Sequence, residues 1–163
     1  MLVGLPYSGK STCAKSLGIF NDYVLVSSDQ EVHNIAAENN TTYNQCFNEV
    51  ADLAMRRATE KLLQALKDKK DILIDQTNLT KASRRRKLSQ VPSGYKKTCI
   101  VVPLPTDEEM VIRKQERTTH SVPDKVLENM KQIYQEPTLD EGFDIIYKAG
   151  FDSEKIMYFW GAA

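Results

Sequence analysis

The sequence predicts an α/β fold, a mainly parallel sheet with helices on both faces, in one domain spanning residues 1–163. Three observations predict it. Short apolar runs rich in β-formers alternate with helical patterns, as parallel strands joined by crossover helices do. A G-x-x-x-x-G-K-[ST] pattern, Gly4 to Ser11 in "VGLPYSGKST", stands between the first apolar run and the first helical pattern. Polar clusters recur at the carboxyl ends of the runs, where open sheets of this kind bind ligands.

The elements follow in order. Only Met1-Leu2-Val3 precede Gly4, so either the first strand is very short or the chain is cut from something longer. Ser11 to Leu17 reads as a helix ending at Gly18. "YVLVSSD", Tyr23 to Asp29, is a second strand with a polar end, and a polar stretch, "AENNTTYNQ", follows it. From Tyr43 the apolar residues Phe47, Val50, Ala54, Ala58, Leu62 and Leu66 recur at helical spacing, with Thr42 as N-cap. "DILID", Asp71 to Asp75, is a buried parallel strand, and Ala82 to Gln90 a short basic helix closed by Pro92 and Gly94. "KKTCIVVPL", Lys96 to Leu104, is a fourth strand. Thr106 caps a helix from Asp107 to about Arg117, with acids first and bases later, and Pro123 opens another up to about Gln135. "FDIIYKA" is the last strand.

Composition narrows the function. Lys+Arg and Asp+Glu are both 22, so the net charge is zero, which argues against a strongly basic non-specific nucleic-acid binder. The three cysteines, Cys13, Cys46 and Cys99, are far apart and odd in number, which points to a reducing, cytoplasmic setting without a disulfide framework. With only His33 and His120 beside them there is no zinc-spaced cluster. No apolar run approaches the roughly 18 residues of a membrane span, and the N-terminus lacks the basic region of a signal peptide. Nothing identifies an oligomer interface.

Four constellations carry chemistry. In the loop, Gly4, Pro6, Ser8, Gly9, Lys10, Ser11 and Thr12 would form the nucleotide cradle. Its backbone N–H groups and the following helix N-terminus face phosphate oxygens, Lys10 neutralises the β/γ-phosphates and Ser11 holds Mg²⁺. Tyr7 stands at the loop tip, where a small residue is common. Asp29, at a strand end, would be a general base for an attacking hydroxyl, or simply the N-cap of a following helix. "ILIDQTNLTKASRRRKL" offers Asp75 as a Mg²⁺ ligand through water, or a strand-end turn. It also offers the basic run Lys81, Arg84, Arg85, Arg86 and Lys87, as a phosphate contact or a solvated helix face. Arg113 and Arg117, four apart on one helix face, would close over a transferring phosphoryl group, or pair with Glu109 and Glu116; His120 reads as a surface residue.

Together "GLPYSGKST", "SSD", "IDQTN" with its basic helix, and "R-x-x-x-R…VPDKVLENM…EGFD" resemble the polynucleotide 5′-kinase family of small P-loop phosphotransferases known from bacteriophages, over Val3 to about Ile146. The resemblance implies a P-loop kinase fold with an Arg-bearing helical lid, about residues 106–135. It implies transfer of the γ-phosphate of ATP, or another NTP, with Mg²⁺, to the 5′-hydroxyl of DNA or RNA. Lys10, Asp29, Arg113 and Arg117 would be catalytic, and Asp75, Thr77, Asn78 and Arg84 would line the acceptor side. Many members carry an acceptor-gripping arginine three residues after the base, where this chain has Val32. A related phage branch phosphorylates hydroxymethyl groups on modified bases in DNA and needs no such grip; a small-molecule hydroxyl is a further acceptor. "DQTN" followed by arginines also resembles the kinase-like domain of nuclear scaffold proteins that bind RNA, which implies a non-catalytic nucleotide-dependent binder. Asp29, Arg113 and Arg117 favour catalysis.

Overall fold

The computed structural model describes residues 1–18, 22–116, 121–151 and 157–160. The strands are β1 (Leu2–Val3), β2 (Val24–Val26), β3 (Ile72–Ile74), β4 (Thr98–Val101), β5 (Ile145–Phe151) and β6 (Met157–Trp160). The helices are α1 (Lys10–Gly18), α2 (Ser28–Glu38), α3 (Tyr43–Lys67), α4 (Lys81–Leu88), α5 (Asp107–Glu116) and α6 (Asp124–Ile133), and a single 3₁₀ turn covers Leu139–Glu141.

β1 pairs in parallel with β4 and β4 with β5, while β6 closes the edge antiparallel to β5. β2 and β3 pair in parallel beside them, and a parallel bridge from Leu2 to Asp75 joins β3 to β1. The strand order across the sheet is therefore β2-β3-β1-β4-β5-β6. The α/β class with a largely parallel sheet is the class the alternating pattern predicts.

Side chains alternate across a strand, so neighbouring residues build opposite cores. Leu2, Leu73 and Ile100 pack with Cys13 and Ala14 of α1 on one face. Val3 and Val101 pack with Leu88 of α4 on the other, and Val26 and Ile74 with Ala58 and Leu62 of α3. Helices thus cover both faces, and the strands read as continuous apolar runs for that reason.

Two elements differ from the sequence expectation. The polar stretch after Asp29 contains a helix, α2, which buries Val32, Ile35 and Ala36 against Tyr43, Cys46 and Ala54 of α3. Its apolar stripe is only one turn and a half long, and the asparagines and glutamates around it hide the period. Ser27, not Asp29, is its N-cap, with the hydroxyl accepting from the Gln30 N–H at 3.3 Å. "FDIIYKA" is not the last strand, because Met157–Trp160 adds β6 outside it. The other elements stand within a few residues of their expected bounds. Thr42 does precede α3, where its N–H donates to Gln45 Oε1 at 3.1 Å. Thr106 closes a reciprocal pair with Glu109 at the start of α5. Among the described residues no helix is long and apolar enough to cross a membrane.

Candidate active site

The loop after β1 folds as its glycines require. A Cβ on Gly4 would stand 2.6 Å from the Val102 carbonyl oxygen and 2.8 Å from Ser8 Oγ, so no larger residue fits there. The Gly4 N–H donates to the Thr77 carbonyl at 3.1 Å, which ties the loop to the turn after β3. Tyr7 and Gly9 take positive φ, 65° and 102°, turning the chain back on itself before α1 begins at Lys10. The first-turn N–H groups of α1 thus open towards the loop. Lys10 Nζ donates to the Leu5 carbonyl at 2.8 Å, across the same loop. Pro6 and Ser8 are buried, while Ser11 and Thr12 are exposed at the start of α1.

These residues fit a nucleotide phosphate. Ser8 Oγ is buried with no hydrogen-bond partner among the described residues, an orphan polar atom inside the curl of the loop. An anion there would meet Lys10 and the helix N-terminus. Magnesium fits as well: it keeps waters and substrate phosphates in its shell and needs few protein ligands. Among the described residues no group of three or more His, Cys, Asp or Glu gathers to hold a metal alone.

Two carboxylates are linked to this loop through their charges. Asp29 is exposed in the first turn of α2, and the Tyr43 hydroxyl donates to its Oδ1 at 3.1 Å. Tyr43 is itself held between His33 and Phe47, with ring centroids 4.8 Å and 5.3 Å away. Asp75 ends β3 beside Leu2. Burial pushes the Asp75 carboxyl up, the Lys10 ammonium pulls it down and the Asp29 charge pushes it further up, for a net rise. The three groups therefore share one electrostatic field. A divalent cation would relieve the like-charge pair of Asp29 and Asp75.

The α5–α6 segment closes the other side. The Arg113 guanidinium donates through Nη1 to the carbonyls of Tyr7 at 2.9 Å and Ser8 at 3.0 Å, while its Nη2 stands 4.0 Å from Glu109. Tyr7 anchors this segment. Its hydroxyl accepts from the Val122 N–H at 2.9 Å, and its ring packs with Leu5, Met110 and Leu127. The left-handed Tyr7 is thus held by contacts with both α5 and α6. Arg117 and His120 lie outside the described residues.

Two expected acceptor residues are corrected. Arg84 is fully buried: Nε donates to Glu141 Oε2 at 2.6 Å, Nη2 to Glu141 Oε1 at 2.8 Å, and Nη1 to the Asn78 and Leu79 carbonyls. Every face of the guanidinium is occupied, so it braces the turn after β3 and cannot reach a substrate. Asn78 is buried too. Its Nδ2 donates to the Leu2 carbonyl at 2.7 Å and its Oδ1 accepts from Lys87 Nζ, which staples the turn to β1. Thr77 reaches the site through its carbonyl, the acceptor for Gly4. Val32 is 1% exposed inside the α2–α3 core, so it faces away from any ligand.

Sequence reasoning missed three participants. Tyr7 showed only as an odd loop-tip residue. Tyr43, the partner of Asp29, was masked as a core position of α3. Glu141 lies in the "EGFD" motif, but its pairing with Arg84 spans 57 residues and has no local signal.

Comparison with known proteins adds the family. A family model described as an AAA domain, AAA_33, matches residues 1–137. The bifunctional polynucleotide phosphatase/kinase of Schizosaccharomyces pombe is 26% identical over 169 residues, covering 98% of this chain. The chain spans 36% of the length of that relative.

Proposed function

The chain belongs to the AAA domain family AAA_33, and on that premise we propose that it is an ATP-dependent kinase acting on a nucleic-acid hydroxyl, the 5′-hydroxyl of DNA or RNA. The observation that carries the reading is Arg113. It donates to the carbonyls of Tyr7 and Ser8, in the loop whose Lys10 shares a field with Asp75 and, through it, Asp29. An arginine there supports transfer rather than mere retention of a nucleotide, because it meets charge that develops on the moving phosphoryl oxygens. The likeness to a polynucleotide phosphatase/kinase supports the acceptor class.

In this reading the loop N–H groups and Lys10 hold the β- and γ-phosphates. Asp29, oriented by Tyr43, accepts the proton of the acceptor hydroxyl as its oxygen bonds to the γ-phosphorus and the bond to the β,γ-bridging oxygen breaks. Ser11, with Asp75 through water, would hold Mg²⁺, which when bound would supply charge neutralisation to the phosphate oxygens. Arg113 stabilises the transferring group, and Arg117, by the motif spacing, joins it. The α5–α6 segment excludes water, so that ATP is not simply hydrolysed.

The burial of Val32 gives weight to a second acceptor. Without a cation at that position, a hydroxymethyl group on a modified base would suit the site. The test is incubation with γ-labelled ATP, Mg²⁺ and three acceptors: 5′-hydroxyl DNA, 5′-hydroxyl RNA, and duplex DNA carrying hydroxymethyl pyrimidines with blocked 5′ ends. Label on the 5′-hydroxyl strands is expected. Label on the modified duplex alone would move the acceptor to the base. Absence of label on all three, with ATP bound, would refute a nucleic-acid kinase.

A further inference from the structure

The basic run of α4 divides by face. Lys81, Arg84 and Arg85 share one side of the helix, and each meets an acid there. Lys81 and Arg85 pair with Asp140, and Arg84 with Glu141. Each residue turns a helix by about 100°, so Arg86, Lys87 and Gln90 face away from those acids. They face α3, across a groove over β2 and β3.

That groove contains a cavity of about 280 Å³. Its walls are apolar where Val26, Ile74, Ala58 and Met55 line it, and its rim carries Gln76, Arg86, Lys87 and Gln90. Among the described residues no carboxylate lies within 4.0 Å of Arg86 or Lys87, and the oxygens that Lys87 Nζ meets, Asn78 Oδ1 and Ser83 Oγ, are neutral. Burial, with Arg86 beside it, pushes the Lys87 ammonium down to about 8. A half-buried cation without an anion is a site short of one. Gln76 adds a second deficit. Its Oε1 is buried with no hydrogen-bond partner among the described residues, and its Nε2 meets only the Met55 sulfur, at 3.6 Å. Gln76 follows Asp75 just past the carboxyl end of β3, so the lining of the cavity reaches that end of the sheet.

We propose that this groove is the acceptor-strand subsite, in which Arg86 and Lys87 take a phosphodiester while the base of the same nucleotide enters between Met55 and the Val26–Ile74 floor. The unpaired Oε1 of Gln76 then accepts from the polar edge of the base. The subsite supplies the cation that Val32 lacks. It rests on the proposed nucleic-acid acceptor, and it excludes Lys81, Arg84 and Arg85 from strand binding.

The test is binding of a fluorescent single strand whose 5′-hydroxyl is replaced by hydrogen, followed by anisotropy across a salt series. Arg86→Gln and Lys87→Met are each expected to weaken binding about tenfold. Each should reduce the steepness of log K against log salt by about 0.7, as loss of one phosphate contact does for a single strand. The KM for ATP should hold, and Arg85→Gln should behave as wild type. Arg86 is exposed and has no side-chain hydrogen bond among those described, so its variant reads the subsite even where Lys87→Met unsettles Asn78. Wild-type affinity and slope in Arg86→Gln, in a protein that still phosphorylates 5′-hydroxyl strands, would overturn the subsite and leave the kinase reading intact. A wild-type protein that binds no strand and labels none would overturn both.

Discussion

The Arg84–Glu141 pair allows a sharp separation of structural from substrate roles. Both side chains are fully buried and joined by two short hydrogen bonds. Burial alone would raise the Glu141 carboxyl, but the Arg84 hydrogen bonds, together with the Thr138 N–H, hold it below its ordinary value. Glu141→Gln keeps the shape and one acceptor but leaves the guanidinium buried without its counter-charge. Removing one partner of such a pair costs about 3–5 kcal/mol. A chain of this length shifts its melting point by roughly 2–4 °C per kcal/mol, so the expected fall is about 6–20 °C. Replacing both partners, as Arg84→Met with Glu141→Leu, removes the orphan charge. It still strands the Asn78 and Leu79 carbonyls that Nη1 satisfies, at about 1–3 kcal/mol each. The double variant therefore escapes the orphan charge but carries a cost of its own, and it is expected to stay below wild type. Thermal unfolding followed by circular dichroism reads these values, with exposed Glu136→Gln as control. A melting point within a degree of wild type for Glu141→Gln would refute the bracing role, and a raised acceptor KM at unchanged stability in Arg84→Met would return Arg84 to the substrate side. The sign with pH follows from the depressed carboxyl: the pair's contribution is present above the ordinary glutamate range and is lost as pH falls through the lower folded value.

Other outcomes test the site. Asp29→Asn is expected to lower turnover by roughly 10²–10⁴ with ATP affinity little changed; loss of ATP affinity instead would make Asp29 a metal ligand or a structural group. Tyr43→Phe deletes the hydroxyl that orients Asp29, and a drop of about tenfold in kcat at constant KM for ATP is expected; an unchanged kcat would show that Asp29 needs no orientation. Tyr7→Phe removes the acceptor for the Val122 N–H, so proteolysis within the α5–α6 segment should quicken while the rest of the chain stays protected; equal protection would mean that ring packing alone holds the lid. Lys87 carries a lowered ammonium, at about 8, so the unfolded chain binds more protons than the folded one from there to about pH 10.5. Its own contribution to stability therefore rises over that window, and the difference in urea midpoint between wild type and Lys87→Met should shift towards wild type with pH; a flat difference would place Lys87 in solvent.

Much of this protein was legible without coordinates, for a local reason. The P-loop is a run of backbone geometry written in consecutive residues: glycine where the chain turns left-handed or meets another strand, then lysine and serine at a helix start. The strands were legible because burial on both faces leaves only apolar residues, as in Leu73 and Ile74. Asp29 and Arg113 stood at strand-end and helical spacings that made them candidates. Tertiary structure alone decided which charges were spent. Arg84, Arg85, Arg86 and Lys87 look alike in a row, yet the acids that consume the first two arrive from Asp140 and Glu141, more than fifty residues later. The same holds for Asn78, whose amide is used by β1 rather than by a ligand, and for Val32, which helix α2 turns inward. Helix rotation and long-range pairing set the partner of each side chain, and neither is written in the residues next to it.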